Sequence, residues 1–170
     1  MLTKKIEAAL NKQISHEADS SQVYLGIASW ADVQPGLEGV SEFFYMQSEE
    51  ERLHMMKLIR FVNERGGNAV IPALKQPALK FISLKKAFET FLKNEITVSG
   101  SINELVDISL HGKDYATHNF LQWYVAEQIE EERLARRLNE KLDMIGSDKS
   151  GLYLFDRDIM TSRSKIGIKG

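Results

Sequence analysis

Apolar side chains recur at alternating steps of three and four residues through most of the chain, the spacing that gathers them on one face of an α-helix. One such line runs Leu10, Ile14, Glu17, Ser21, Tyr24, Ala28, and a second runs Leu37, Val40, Phe44, Gln47, Glu51, His54, Leu58, Phe61. A third runs Leu84, Phe88, Phe91, Glu95, Val98, Ile102, Leu105, and a fourth Leu121, Tyr124, Gln128, Glu131, Ala135, Leu138, Leu142. Four long amphipathic helices predict an all-α protein, a four-helix bundle with these lines turned inward.

Caps and breakers set the boundaries. The first helix starts after Thr3, a residue suited to an N-cap, and runs to about Ala31, where Val33-Gln34-Pro35-Gly36 turns the chain. The second runs from about Leu37 to Arg65, with Gly66-Gly67 placed for a left-handed C-cap. The third runs from Leu84, capped by Ser83, to His111, and the fourth from about Asp114 to Ile145, each closed by the glycine that follows. Ser147 to Ile159 leaves room for a short fifth helix at the C-terminal end. The domain is expected to span 1–160, with 161–170 a flexible tail.

The connections determine topology. Joints of a few residues make the first and second helices antiparallel, and likewise the third and fourth. Residues 67–83 lack a helical period and hold Pro72 and Pro77, so they read as an extended crossover between the second and third helices. The second helix is ~44 Å long at its rise per residue. The crossover can reach ~50 Å. It therefore spans the bundle and starts the third helix parallel to the second.

Each inward line is interrupted by acid, and the interruptions match in height. Glu17 lies 18 residues before Pro35 and Glu51 lies 16 after it. Glu95 lies 17 residues before Gly112, while Gln128 and Glu131 lie 16 and 19 after it. Within antiparallel hairpins these positions share one central layer, to about 3 Å. Buried carboxylates cost several kcal/mol each unless they are paired or bound to a cation. Carboxylates with one imidazole suit iron or manganese, and a bridging glutamate is how helical bundles build dinuclear sites. The spacing assigns Glu17, Glu51 and His54 to one iron and Glu51, Glu95 and Glu131 to the other, with Glu51 bridging. Tyr24, seven residues after Glu17, is placed to hydrogen-bond into the site or to donate an electron. Two ferrous ions held this way can each give an electron to dioxygen, a ferroxidase reaction.

Composition narrows the alternatives. With no cysteine, disulfides, cysteine-based zinc sites and iron–sulfur clusters are excluded. A formal charge of −2 argues against a general nucleic-acid binder or a membrane-surface protein. No run of ~18 apolar residues offers a membrane span, and residues 1–10 lack the apolar core of a signal peptide. The cytoplasm is the expected location.

Taken singly, Glu50-Glu51 and Glu130-Glu131-Glu132 would read as solvated charge runs, and His54 as a satisfied core histidine. Four matched levels and the three-residue step from Glu51 to His54 favour metal ligation. Tyr24 and Tyr124 are also compatible with simple packing.

From Met1 to about Met160 the chain resembles bacterial non-haem ferritins. The resemblance rests on Glu17 with Ser20-Ser21 and Tyr24, on Glu50-Glu51-x-x-His54, on Glu95, and on the run Asn119-Phe120-Leu121-Gln122-Trp123-Tyr124-Val125-Ala126-Glu127-Gln128-Ile129-Glu130-Glu131-Glu132. It implies a ferritin-like fold, a homo-oligomeric shell of 24 subunits, and storage of a ferric mineral made from Fe(II) and dioxygen. It also implies a third iron site at Glu50, Glu127, Glu130 and shared Glu131, and places Gln128 near the second iron. Arg52 stands where a bacterioferritin carries its haem-ligating methionine, and the fourth helix lacks a second Glu-x-x-His, so no haem is expected. Rubrerythrins need cysteine, and mini-ferritins set their ligands between subunits. A soluble diiron oxidase or oxygenase acting on an organic substrate, and a metal-free structural bundle, are the alternative readings.

Overall fold

The computed structural model describes residues 2–164, with side chains described to Thr161. Five helices follow in order: α1 (Lys4–Asp32), α2 (Glu38–Glu64), α3 (Leu84–His111), α4 (Tyr115–Ile145) and α5 (Lys149–Ser164). All-α architecture and the four inward lines are as expected from the pattern. Every residue of the first and fourth lines is buried, as are all of the second except its terminal members Leu37 and Phe61 and all of the third except Leu84.

Local chemistry explains where the helices begin and stop. Thr3 and Ser83 cap α1 and α3 with their hydroxyls, and Asp114 caps α4 through a 3.0 Å bond from the Thr117 amide. After α2 the chain turns on Gly66, whose φ of +75° lies in the left-handed region that a glycine adopts without strain. No side chain of its own neighbourhood caps α2. That role falls to Asp156 of α5, which accepts from the amides of Gly39 and Val40 at 3.0 and 2.8 Å. Gly39 is needed for this dock, because a Cβ there would stand 2.1 Å from the Asp156 carbonyl oxygen.

The crossover lies along α1. Near its start Asn11 donates to the Asn68 carbonyl and accepts from the Val70 amide, at 3.0 and 2.7 Å. Further along, Pro77 and Ala78 press against Gly26, and Phe81 meets the Trp30 ring at 5.3 Å. Travelling from Asn11 to Trp30 takes the chain back to the end where α2 began, which sets α3 parallel to α2.

Expected to end near Ile159, the fifth helix instead continues to Ser164, since residues 160–164 contain neither glycine nor proline to stop it. The remainder of the expected tail, 165–170, lies outside the described residues.

Two apolar clusters fill the bundle. At the α5 end are Tyr24, Ile27, Phe43, Phe44, Phe88, Phe91, Leu138 and Phe155, among others. At the opposite end are Ile6, Leu10, Ile14, Leu58, Val62, Ile102, Leu121 and Tyr124. Between the clusters is a buried polar layer.

Candidate metal centre

Each bundle helix sends its central polar residues into that layer. Glu17 and Gln13 come from α1, Gln47, Glu51 and His54 from α2, Glu95 from α3, and Gln128 and Glu131 from α4. All are buried, and Glu17 and Glu95 are fully enclosed.

Glu17, Glu51 and His54 offer ligand atoms that all lie within 4.8 Å of one another. His54 Nδ1 is 3.2 Å from Glu51 Oε2 and 3.8 Å from Glu17 Oε2, and Glu17 Oε2 has no hydrogen-bond partner. This is the set expected for the first ion. Burial, reinforced by nearby Lys57, pushes His54 down to about 4, so its ring is neutral and has a lone pair to give at ordinary pH.

The second expected set is arranged differently. Among the described residues, Glu51, Glu95 and Glu131 do not form such a compact group. Both Glu95 oxygens already accept hydrogen bonds, Oε1 from the Tyr24 hydroxyl and Oε2 from Gln128 Nε2 at 2.6 Å. Asn94 in turn donates to the Tyr24 oxygen at 2.8 Å. Glu131 Oε2 accepts from Gln47 Nε2 at 2.9 Å. Amides and a phenol thus hold the carboxylates that the sequence spacing aims at the second ion.

For the third expected site, the compact group is Glu50, Glu127 and His54. His54 joins it unexpectedly. Glu130 sits on the rim beside Arg133, at 3.7 Å, and is not part of the group. A Lys57 ammonium stands 3.3 Å from the centre of the Trp123 ring, and Trp123 stacks on Tyr124 with centroids 4.5 Å apart. Both rings adjoin His54, at 5.5 and 5.3 Å.

Burial governs the acids, and like charge adds to it. Burial raises Glu17 and Glu51, and the neighbouring Glu95 and Glu17 raise Glu51 further. Burial likewise lifts Glu95 to about 7, although Tyr24 and Gln128 pull it back. Tyr24 and Tyr124 are held well above their ordinary value by burial, then by Glu95 and Glu17 respectively. Carboxyls raised in this way hold protons more readily than exposed acids do, and a cation placed among them favours the ionised form.

Residues 7–145 match the ferritin-like domain family. The chain belongs to the ferritin family. It is 43% identical over 159 residues to a probable bacterial non-heme ferritin-like protein of Haemophilus influenzae, covering 94% of this chain and 96% of that one. With a bacterial non-heme ferritin of Campylobacter jejuni it shares 40% identity over 168 residues, 97% of this chain and all of that protein. An open-pore ferritin from the archaeon Archaeoglobus fulgidus superposes with a TM-score of 0.90 at 43% identity, covering 94% of this chain and 98% of the other. Among the described residues, no helix is long and apolar enough to cross a membrane.

Gln13 and Gln47 were not foreseen as site residues. Gln47 lies on the second inward line, but nothing in its spacing names Glu131 as partner. Gln13 lies one turn before Glu17, so an i, i+4 glutamine–glutamate pair was the available signal.

Proposed function

We propose that this chain is an iron-storage ferritin that oxidises Fe(II) with dioxygen in its central polar layer and deposits the ferric product inside a homo-oligomeric shell, of 24 subunits as in the family it resembles. The observation that carries the reading is the group Glu17, Glu51 and His54, enclosed between two apolar clusters with unpartnered Glu17 Oε2 turned toward the imidazole.

Fe(II) is the substrate. One ferrous ion is held by Glu17, Glu51 and His54, and a second by Glu51, Glu95 and Glu131 once the amides of Gln128 and Gln47 yield. Glu51 bridges the pair. Each ion loses one electron; dioxygen takes both with two protons and leaves as hydrogen peroxide. Each ferric ion then takes up two waters, releases three protons and enters the mineral as oxyhydroxide. Two irons per subunit suffice for this step, and Glu50 and Glu127 with the shared His54 form a third, nearby station that Glu130 and Glu131 would join only by turning toward it. Tyr24, bonded to Glu95, steadies the second ion or supplies an electron. In this reading no haem takes part, and the protein works in the cytoplasm without nucleic acid or membrane.

The test is anaerobic loading of the iron-free protein with two Fe(II) per subunit, admission of oxygen, and measurement of the diferric absorbance. Glu51→Ala should slow the rise by at least tenfold; an unchanged rate removes the assignment. A particle mass near that of one or two subunits would instead favour a diiron oxygenase.

A further inference from the structure

Of the carboxylates in the polar layer, Glu17 is the one with an oxygen left open toward His54, and its other oxygen is held by a residue outside the ligand set. We infer that Gln13 is a positioning residue, which fixes the Glu17 carboxylate so that Oε2 alone faces the ion shared with Glu51 and His54. The inference rests on the function proposed above and adds a residue to it.

Gln13 lies one helical turn before Glu17 and is 1% exposed. Its Nε2 stands 2.5 Å from Glu17 Oε1, while its own Oε1 stands 2.5 Å from Ser101 Oγ on α3. Both contacts bear on the orientation of the amide. With the amide oxygen accepting from Ser101 Oγ, whose longer contact is 3.0 Å to the Val98 carbonyl oxygen, the amide NH2 is left toward Glu17. For the ionised Glu17 that binds a cation, turning the amide over would set its oxygen against a carboxylate oxygen, two acceptors 2.5 Å apart. Ser101 thus fixes Gln13, and Gln13 fixes Glu17.

The Tyr124 hydroxyl is buried here as well, with Glu17 and Gln13 as its polar neighbours. On the far side of the layer Glu95 is held in a related manner, by Gln128 and Tyr24. There the amide and the phenol occupy both oxygens. Around Glu17 the described hydrogen bonds occupy Oε1 and leave Oε2 open. A carboxylate pinned through one oxygen binds an ion through the other without spending orientational freedom on the event, which is the general effect of groups that orient metal ligands.

A purely architectural role, tying α1 to α3, would leave metal affinity untouched or would weaken every ion equally. Iron-free protein is titrated with Co(II), followed by its d–d absorbance, and the step that His54→Ala removes and Glu50→Ala leaves in place belongs to the group of Glu17, Glu51 and His54. Gln13→Leu should weaken that step at least tenfold and shift its spectrum, with the other step changed by less than twofold. Ser101→Ala, at a half-buried site that leaves Gln13 in place, should weaken the same step by a smaller factor. Equal loss at both steps, or no loss at either in a folded Gln13→Leu protein, overturns the inference while the ferritin reading stands. If the unsubstituted protein shows no step sensitive to His54→Ala, both fall together.

Discussion

The Gln128 amide reaches Glu95 twice, at 2.6 Å from the side-chain Oε2 and 3.1 Å from the backbone carbonyl oxygen. With Tyr24 on the other carboxylate oxygen, Glu95 is already satisfied before any ion arrives. An incoming cation must displace these donors, whereas the group around His54 is assembled beforehand.

The two ions should therefore bind with unequal affinity. In a Zn(II) titration by calorimetry, Glu95→Ala is expected to remove the weaker event and His54→Ala the tighter one. Indistinguishable events in the unsubstituted protein would contradict this order.

Stability of the iron-free protein should fall as pH rises. Because the folded Glu95 carboxyl titrates at about 7 and the ordinary value is 4.5, the folded state keeps a proton between those limits that the unfolded chain has lost. Glu17 and Glu51 are raised too and act in the same sense. His54, lowered from 6.5 to about 4, acts oppositely, and its contribution is lost as pH falls across that range. Glu95→Gln should remove its share of the loss on the alkaline side, at most roughly 3 kcal/mol. Thermal midpoints of both proteins from about pH 5 to about pH 8 measure this; parallel curves would refute it.

Asp156 replaced by alanine leaves the Gly39 and Val40 amides without their acceptor. A cost of about 2 kcal/mol is expected, since the bonds are charged and the site is buried. Chemical denaturation should show it, and Asp156→Asn should recover part of the loss.

Asn11→Ala severs two ties between α1 and the crossover. The exchange rate of the Val70 amide hydrogen should rise about tenfold, while amides in the middle of α3 stay protected. Equal protection in both proteins would mean that the crossover is held by its apolar contacts alone.

Periodicity carried most of this fold because a helix buries one face, and a run such as Phe88, Phe91, Glu95, Val98 betrays both the face and the anomaly within it. Matched heights of Glu17, Glu51, Glu95 and Glu131 followed from counting residues to a turn. What spacing does not encode is the direction of a terminal carboxylate, which depends on rotamers and on donors from other helices. Glu95 and Glu131 were legible as buried, but their engagement with Gln128 and Gln47 was not. Glu130 lies one residue before Glu131, and that single step of about 100° along a helix moves it to the rim beside Arg133. The bond from Val40 to Asp156 joins residues 116 apart, with no local pattern to announce it.

The proposed ligands Glu17, Glu51 and His54 all belong to α1 and α2, one helical hairpin completed before α3 starts. During synthesis, this first half of the chain would emerge with the whole proposed triad, and the second half would contribute the proposed partner ion's ligands and the walls that exclude water. Assembly of the dinuclear pair is therefore also the docking of two hairpins, and an ion shared through Glu51 would join the two halves of the subunit as a rivet does.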